Sequence, residues 1–367
     1  MRIMQPLVSI VAATAQYEAW LATQVNVVKA DLKSKHEAMA DDPFSFLRAT
    51  YYRWAQVWPV AGKDWAGLPV QGVGDLHVEN FGTWRDAEGR LVWGINDFDE
   101  CGKVSFTSDL VRLATSALLA RREAHLRLSG SAACEAIWRG YNDGLKAGGA
   151  CCILEEDNGW LRALALKSQD DAAAFWKKFG PKKAVFVKPP AAVMARLKAM
   201  LPHGARITRV VHRQSGKGSL GRPRFAVVAE WKGALVAREA KAILANGVDW
   251  SKGAAGAQPQ NIRHMIQHPL RGTDPFNQVE DAWVLRRLSP NCSRIELADL
   301  PKVRDESKLL HAMGFETASI HLGSERLLKP LKAAAGKLKP SWLLKAATAM
   351  KDVTLQDWKE WRKQHRD

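Results

Sequence analysis

No uninterrupted apolar run in the 367 residues comes near the ~20 positions that a membrane-spanning helix requires. A bilayer span is therefore not expected. The cysteines number five, at positions 101, 134, 151, 152 and 292, without the spacing of a zinc or iron–sulfur site. That pattern fits free thiols in a reducing cytoplasm. Internal repeats and low-complexity tracts are missing, which excludes solenoids and disordered linkers. Acidic residues are in deficit, with 38 Asp and Glu against 54 Lys and Arg, a net charge of +16. Such an excess attracts polyanions such as nucleic acid or nucleotide phosphates. It is spread along the chain. The stretch from Arg326 onward carries eleven Lys or Arg against four Asp or Glu, a difference of seven, and reads best as a solvated helical face. The opening "MRIMQPLVSIVAATAQ" has one Arg, an apolar stretch and Ala13-Thr14-Ala15, the outline of a leader peptide. Gln5 and Pro6 interrupt it, and helical sequence follows at once, so it is read as part of the folded chain.

What is present divides into helix-rich and strand-rich stretches. Residues 16–58 carry helical periodicity. Asp42 suits an N-cap, Pro43 a first turn, and Phe44, Leu47, Tyr51 and Trp54 a shared apolar face. Residues 68–100 alternate short apolar runs with turn residues, and "RDAEGR" separates two of them as in a hairpin. Residues 107–147 are helical, with Leu110, Leu113, Ala114, Ala117 and Leu118 on one stripe. A crossover at 180–205 leads to three period-two segments, "ARITRVVHRQ", "RPRFAVVAEW" and "GALVAREAKA". The last two are joined by Lys232-Gly233. Helices rich in Ala, Leu and Lys end the chain. The expected architecture is α+β, with a small antiparallel β lobe beside a helical lobe and a cleft between them. Its parts are 1–60 (N-terminal helices), 61–180, 181–205 (crossover), 206–290 (β lobe) and 291–367 (C-terminal helices).

Two motifs carry chemistry. "GKGSLG", residues 216–221, is followed by a strand and not by a helix, which argues against a dinucleotide fold. Strand, glycine loop and strand is the arrangement with which protein kinases cover ATP phosphates, and the third strand then offers Lys241 for those phosphates. The second motif is "VGDLHVENFG", residues 73–82. Asp75 and Asn80 are five apart, the spacing of a kinase catalytic loop. Asp97-Phe98 in "INDFDE" follows Asn80 by seventeen residues and matches the start of the D-F-G metal motif. "DLH" also opens the D-x-H motif of metal-dependent phosphoesterases. Their later G-N-H-[DE] is missing, and His125, His203 and His212 lie in unrelated contexts.

Taken together, "GDLHVENFG…INDFDE…SDLVRLA" resembles the bacterial family called domain of unknown function 2252. More distantly it is similar to aminoglycoside and choline phosphotransferases of the protein-kinase-like superfamily. "DPFSFLRATYYRWA", "GKGSLGRPRFAVVAEWKGALVAREAKA" and "HAMGFETASIHLG" extend the resemblance over most of residues 36–325. It implies a protein-kinase-like two-lobed fold using ATP and Mg²⁺. Asp75 would be the catalytic aspartate, Asn80 and Asp97 metal ligands, with Asp99 near a second ion, and Asp109 a buried brace. Gly216, Lys217, Gly218, Ser219, Gly221 and Lys241 would hold the nucleotide. Leu285, in "AWVLRRL", would line the adenine pocket at the hinge.

The order of parts is inverted, because Asp75 precedes the glycine loop. The resemblance thus implies a circular permutation, with residues 300–325 supplying the helix that leads into the catalytic loop. Val73 replaces the usual histidine, Asp99 replaces the motif's glycine, and the helix after Lys241 lacks an acid. Glu239 or Glu280 is the candidate partner for that lysine. Arg238 should face away from it. The expectation is a phosphotransferase acting on a hydroxyl of an unidentified small molecule or protein. The alternatives are a nucleotide-binding pseudokinase or an AMP-transferring enzyme. A nucleic-acid-binding protein is a third reading, which lacks any base-reading motif.

Overall fold

The computed structural model describes residues 7–122, 126–155, 158–167, 172–180, 187–254, 256–292, 303–323 and 325–365. The leader-like residues 1–6 and the central crossover residues 181–186 lie outside the described residues.

Four helices open the chain: α1 (Ile10–Gln24), α2 (Lys29–Asp41), α3 (Pro43–Ala49) and α4 (Tyr51–Ala61). Asp42 caps α3 as its sequence requires, accepting from the Ser45 N–H at 2.7 Å. The helical periodicity of 43–58 is interrupted at Thr50, whose backbone leaves the helical region (φ −125°, ψ 43°). Its hydroxyl instead donates to the Phe46 carbonyl at 2.7 Å. Phe44, Leu47, Tyr51 and Trp54 still reach the same core across the break.

Strands β1 (Pro69–Gly72), β2 (Phe81–Arg85), β3 (Leu91–Ile95) and β4 (Gly102–Ser105) follow. β2 and β3 form the anticipated hairpin, with Phe81 opposite Ile95. β1 pairs with β4, bringing the start of the 73–82 stretch beside the end of the 95–100 stretch. Helices α5 (Phe106–Arg122) and α6 (Gly130–Ala147) come next, then β5 (Cys152–Ile153), α7 (Gly159–Lys167), α8 (Ala172–Lys177) and α9 (Ala191–Ala199). The single stripe expected on α5 is too narrow a description. From Phe106 to Ala120 it is buried nearly all round, Arg112, Thr115 and Ser116 included. The cause is its central position, since α6, α14 and α12 all pack on it.

Apart from the pair β1-β4 and the sheet β2-β3-β5, a larger sheet holds β6 (Arg206–His212), β7 (Arg224–Trp231) and β8 (Ala234–Ala242). Beyond α10 (Gly247–Ser251) and α11 (Pro259–Ile266) it is completed by β9 (Gln278–Glu280) and β10 (Trp283–Leu288). It is antiparallel throughout, in the order β6-β7-β8-β10-β9. Lys232 and Gly233 both take positive φ (49° and 80°), the tight turn that lets β7 and β8 pair directly. Helices α12 (Val303–His321), α13 (Leu328–Gly336) and α14 (Trp342–His365) rejoin the helical body, α12 lying along α6. The molecule is thus α+β, with small antiparallel sheets set against helices. The five cysteines are free thiols. No helix among the described residues is long and apolar enough to cross a membrane.

Candidate functional site

The two motifs, more than a hundred residues apart in sequence, meet in one cleft. Its lining includes Asp75, Asn80, Asp97, Asp99, Glu100 and the loop residues Gly216 to Ser219. The acidic side is built by two loops. The backbone N–H groups of Val73 and Gly74 donate to Asp109 at 2.7 and 3.0 Å. Gly74 is at φ 79°, and a Cβ there would lie 2.2 Å from the Glu100 carbonyl, so only glycine lets the two loops touch. Asp109, buried on α5, is held in turn by His321 Nε2 at 3.1 Å, and His321 Nδ1 meets the Tyr141 hydroxyl at 3.0 Å. Asp109 therefore has the bracing position its motif suggests. His321, from the far end of the chain, supports it.

Asn80 ties the loops together. Its amide donates to the carbonyls of Asp75 and Asp97, both at 3.1 Å, and its oxygen accepts from the Asp97 N–H at 3.1 Å. Asp75 is held by a group that the motif reading missed. Arg112 is fully buried and directs Nε (2.9 Å) and Nη2 at the same oxygen, Oδ1, of Asp75. Nη2 also donates to the Leu47 carbonyl, and the guanidinium lies 5.0 Å from the rings of both Tyr51 and Trp54. Burial raises the Asp75 carboxyl above its ordinary value, and Arg112 works against that rise.

On the sheet side, Lys241 reaches from β8 to the acidic loop. Its ammonium is 3.2 Å from both carboxylate oxygens of Asp97 and in closer contact with Asp99. Burial alone would raise the Asp97 carboxyl, but Lys241, Arg286 and Arg224 outweigh it and hold the group well below its usual range. Asp99 goes the other way, raised by burial and by the neighbouring charge of Asp97. Glu239 is not the partner of Lys241. It is fully buried and bound by Arg213 and Arg286, with Arg224 at 3.8 Å. Glu280 instead lies near Arg196, at 3.5 Å. Arg238 faces away, donating to the Met200 carbonyl at 3.0 Å.

The glycine loop lies against the loop that carries Asp75. A Cβ on Gly218 would come within 3.0 Å of the Arg48 carbonyl and 3.4 Å of Asp75 Oδ2, so the second glycine permits this approach. Lys217 hydrogen-bonds Ser45, and the Lys35 ammonium is 3.5 Å from the Gly218 carbonyl. Lys35 is buried over the rings of Tyr17 and Tyr52, and burial lowers it to about 8. Further along, the Val28 N–H donates to the Gly221 carbonyl at 3.1 Å, and Arg222 bridges Tyr17 and Glu100, both at 2.7 Å. His212 and Gln214 each reach Asp31 on α2 at 2.7 Å.

Apart from Lys241, two residues assigned to the nucleotide are not brought to the cleft lining, and the first, Gly221, faces Leu32 and Leu21 of the opening helices. Leu285 is fully buried on the opposite face of the sheet, among Val193, Leu197, Phe225, Val227 and Ala240. Register is the reason. Leu285 stands opposite Ala240, whereas Val284 stands opposite Lys241, and successive residues of a strand face opposite ways.

Behind the metal-motif loop, Glu316 on α12 accepts from the Ile95 N–H at 3.2 Å, with Arg271 at 3.8 Å. Burial raises this carboxyl from 4.5 to about 7. A carboxyl so raised favours the folded state fully below about pH 4.5, and that contribution is lost as pH rises through about 7. At about 1.4 kcal/mol per unit, the loss is about 3 kcal/mol. Glu316→Gln should remove it, so the stability of the parent relative to the variant falls across that window. Urea melts with the same pH slope for both proteins would refute the assignment.

Among the described residues, no group of three or more His, Cys, Asp or Glu side chains is placed to hold a metal ion. The candidate set is two carboxylates and an amide, Asp97, Asp99 and Asn80. No curated protein and no solved structure matches the chain. Residues 27–174, which span α2 to α8 and include both acidic loops, match the model of a family described as an uncharacterized protein conserved in bacteria (DUF2252).

Proposed function

We propose that the chain is an ATP- and Mg²⁺-dependent phosphotransferase with a circularly permuted, protein-kinase-like build. One observation carries this reading: Lys241 reaches from the sheet to both Asp97 and Asp99, which line one cleft with Asp75 and the glycine-loop residues Gly216 to Ser219. The ammonium stands in for cationic charge between the two carboxylates. Hard oxygen donors in small number suit Mg²⁺, which keeps several waters of its own. Asp97 and Asp99, with the amide oxygen of Asn80, would hold the ion. When bound, it would neutralise charge on the phosphoryl oxygens during transfer. Lys241, released from the carboxylates, would then face the phosphates, and the backbone of 216–221 would cover them. Asp75, with Oδ1 fixed by Arg112, keeps Oδ2 toward the glycine loop to orient an acceptor hydroxyl. The permuted reading is supported by β6, β7 and the loop between them following the acidic loops in sequence, and by α12 delivering His321 to Asp109.

The acceptor is an unidentified hydroxyl compound. A second reading, a nucleotide-binding module, is favoured by the Asn80 oxygen already accepting from Asp97 and by Lys241 having no glutamate partner among the described residues. Incubation with ATP labelled at either the α or the γ position separates these cases. Transfer of γ label is expected, and Asp97→Asn should abolish it. Transfer of α label instead would mean AMP transfer. ATP binding without transfer of either label would mean a binding module. Absence of ATP binding would end the assignment.

A further inference from the structure

The face of the sheet that carries Lys241 holds more positive charge than one lysine. Glu239 and Lys241 are two apart on β8 and therefore share a face. Directly opposite Lys241 stands Arg224 on β7, and directly opposite Glu239 stands Arg286 on β10. Residues so opposed have Cβ atoms within about 5.5 Å and point the same way. Arg213, just past the end of β6, reaches the same carboxylate. Arg286 donates Nε to Glu239 at 2.6 Å. Arg224 lies under the glycine loop: its Nη2 donates to the Ser219 hydroxyl at 3.0 Å, and a Cβ on Gly216 would be 3.6 Å from it.

Four cations (Arg213, Arg224, Lys241, Arg286) meet three carboxylates (Glu239, Asp97, Asp99) in this cluster. Each guanidinium offers five N–H donors, whereas a carboxylate accepts at about four sites. Glu239 alone therefore cannot saturate three arginines. If the cluster served only to hold the sheet together, matched charges would do so at lower desolvation cost. The cations are also spread out. Positions two apart on a strand are separated by about 6.7 Å, too far for one small anion to touch both ends.

We propose that Arg224 and Arg286, together with Lys241, bind a chain of phosphate groups, and that Glu239 holds the two arginines in position for it. The ligand class is a polyphosphate, carried by a nucleotide or free in inorganic form. The inference rests on the cleft assigned above, but it names ligands beyond the lysine and the loop. Planar guanidinium forks grip phosphate oxygens in pairs, which a lysine does not.

The test is calorimetric titration of the full chain with Mg²⁺ and either ATP, inorganic tripolyphosphate or adenosine. Arg224→Gln and Arg286→Gln should each weaken ATP and tripolyphosphate by about ten- to a hundredfold and leave adenosine unchanged. Arg286→Lys keeps the charge and the fold while losing the fork, and should weaken both phosphate ligands by a smaller factor. Tripolyphosphate and ATP binding undiminished in all three variants overturns the arginine assignment and leaves the nucleotide reading standing. Tripolyphosphate binding that depends on the arginines, with ATP bound no more tightly, upholds the inference and overturns the nucleotide reading. Binding of neither phosphate ligand by the parent protein overturns both.

Discussion

Glu239→Ala is expected to lower the unfolding free energy by about 3–5 kcal/mol, the usual consequence of stripping a buried charge cluster of its counter-ion. Glu239 has no exposure and is bound by Arg213 and Arg286, with Arg224 close by. Those arginines outweigh the opposing effect of burial and hold its carboxyl well below the ordinary 4.5. A carboxyl depressed in this way stabilises the fold above its unfolded value, and that contribution fades only as pH falls toward the depressed one. The loss in the variant should therefore be full at neutral pH. Removing the side chain leaves three guanidiniums facing one another from β7, β10 and the end of β6. Glu239→Gln, which keeps an oxygen acceptor in place, should fall between the variant and the parent. Urea unfolding at pH 7 measures all three. A loss under about 1 kcal/mol for the alanine variant would mean that the cluster relaxes or admits water, contrary to its burial here.

The second large effect concerns turnover. Asp75→Asn should reduce phosphate release from ATP, with water as acceptor, by about 10²- to 10⁴-fold. Mg²⁺-ATP affinity should change by no more than about threefold, since the proposed reaction sets Asp75 against the acceptor and not the nucleotide. The asymmetry of the site gives the reason. Arg112 claims Oδ1, so an asparagine turns its oxygen toward Arg112 and its NH₂ toward the glycine loop. Two donors then occupy the place where an acceptor for the hydroxyl proton is needed. Retention of more than about a tenth of the parent rate would remove Asp75 from the chemistry.

Much of this arrangement was legible in the sequence wherever short-range rules decide it. The cap at Asp42, the β2–β3 hairpin and the Lys232-Gly233 turn each follow from local residue chemistry. The gathering of Asp75, Asn80, Asp97 and Lys241 followed from motif spacing. Leu285 was misplaced because its role came from a resemblance to a hinge and not from strand parity. The same parity puts Glu239 beside Lys241, but only the register of β7 and β10 reveals Arg224 and Arg286 opposite them. Register is a tertiary property that no segment carries alone. Arg112 lay within a recognised motif, three residues after Asp109 and hence on a neighbouring part of α5. It went unassigned because an arginine buried to its tip is rarely expected. The parts played by Tyr17, Asp31 and Lys35 depend on how α1 and α2 wrap the cleft, which helical periodicity does not specify.

That wrapping has a mechanical consequence. The segment from His212 to Arg222 is fastened to α1 and α2 by Asp31, Val28, Lys35 and Tyr17, so it cannot flap as an isolated tip. Raising the roof over the cleft drags a pair of helices with it, or else breaks several bonds together. Its opening accordingly belongs with collective movements, roughly microseconds to milliseconds, and not with the nanosecond flutter of an untethered hairpin.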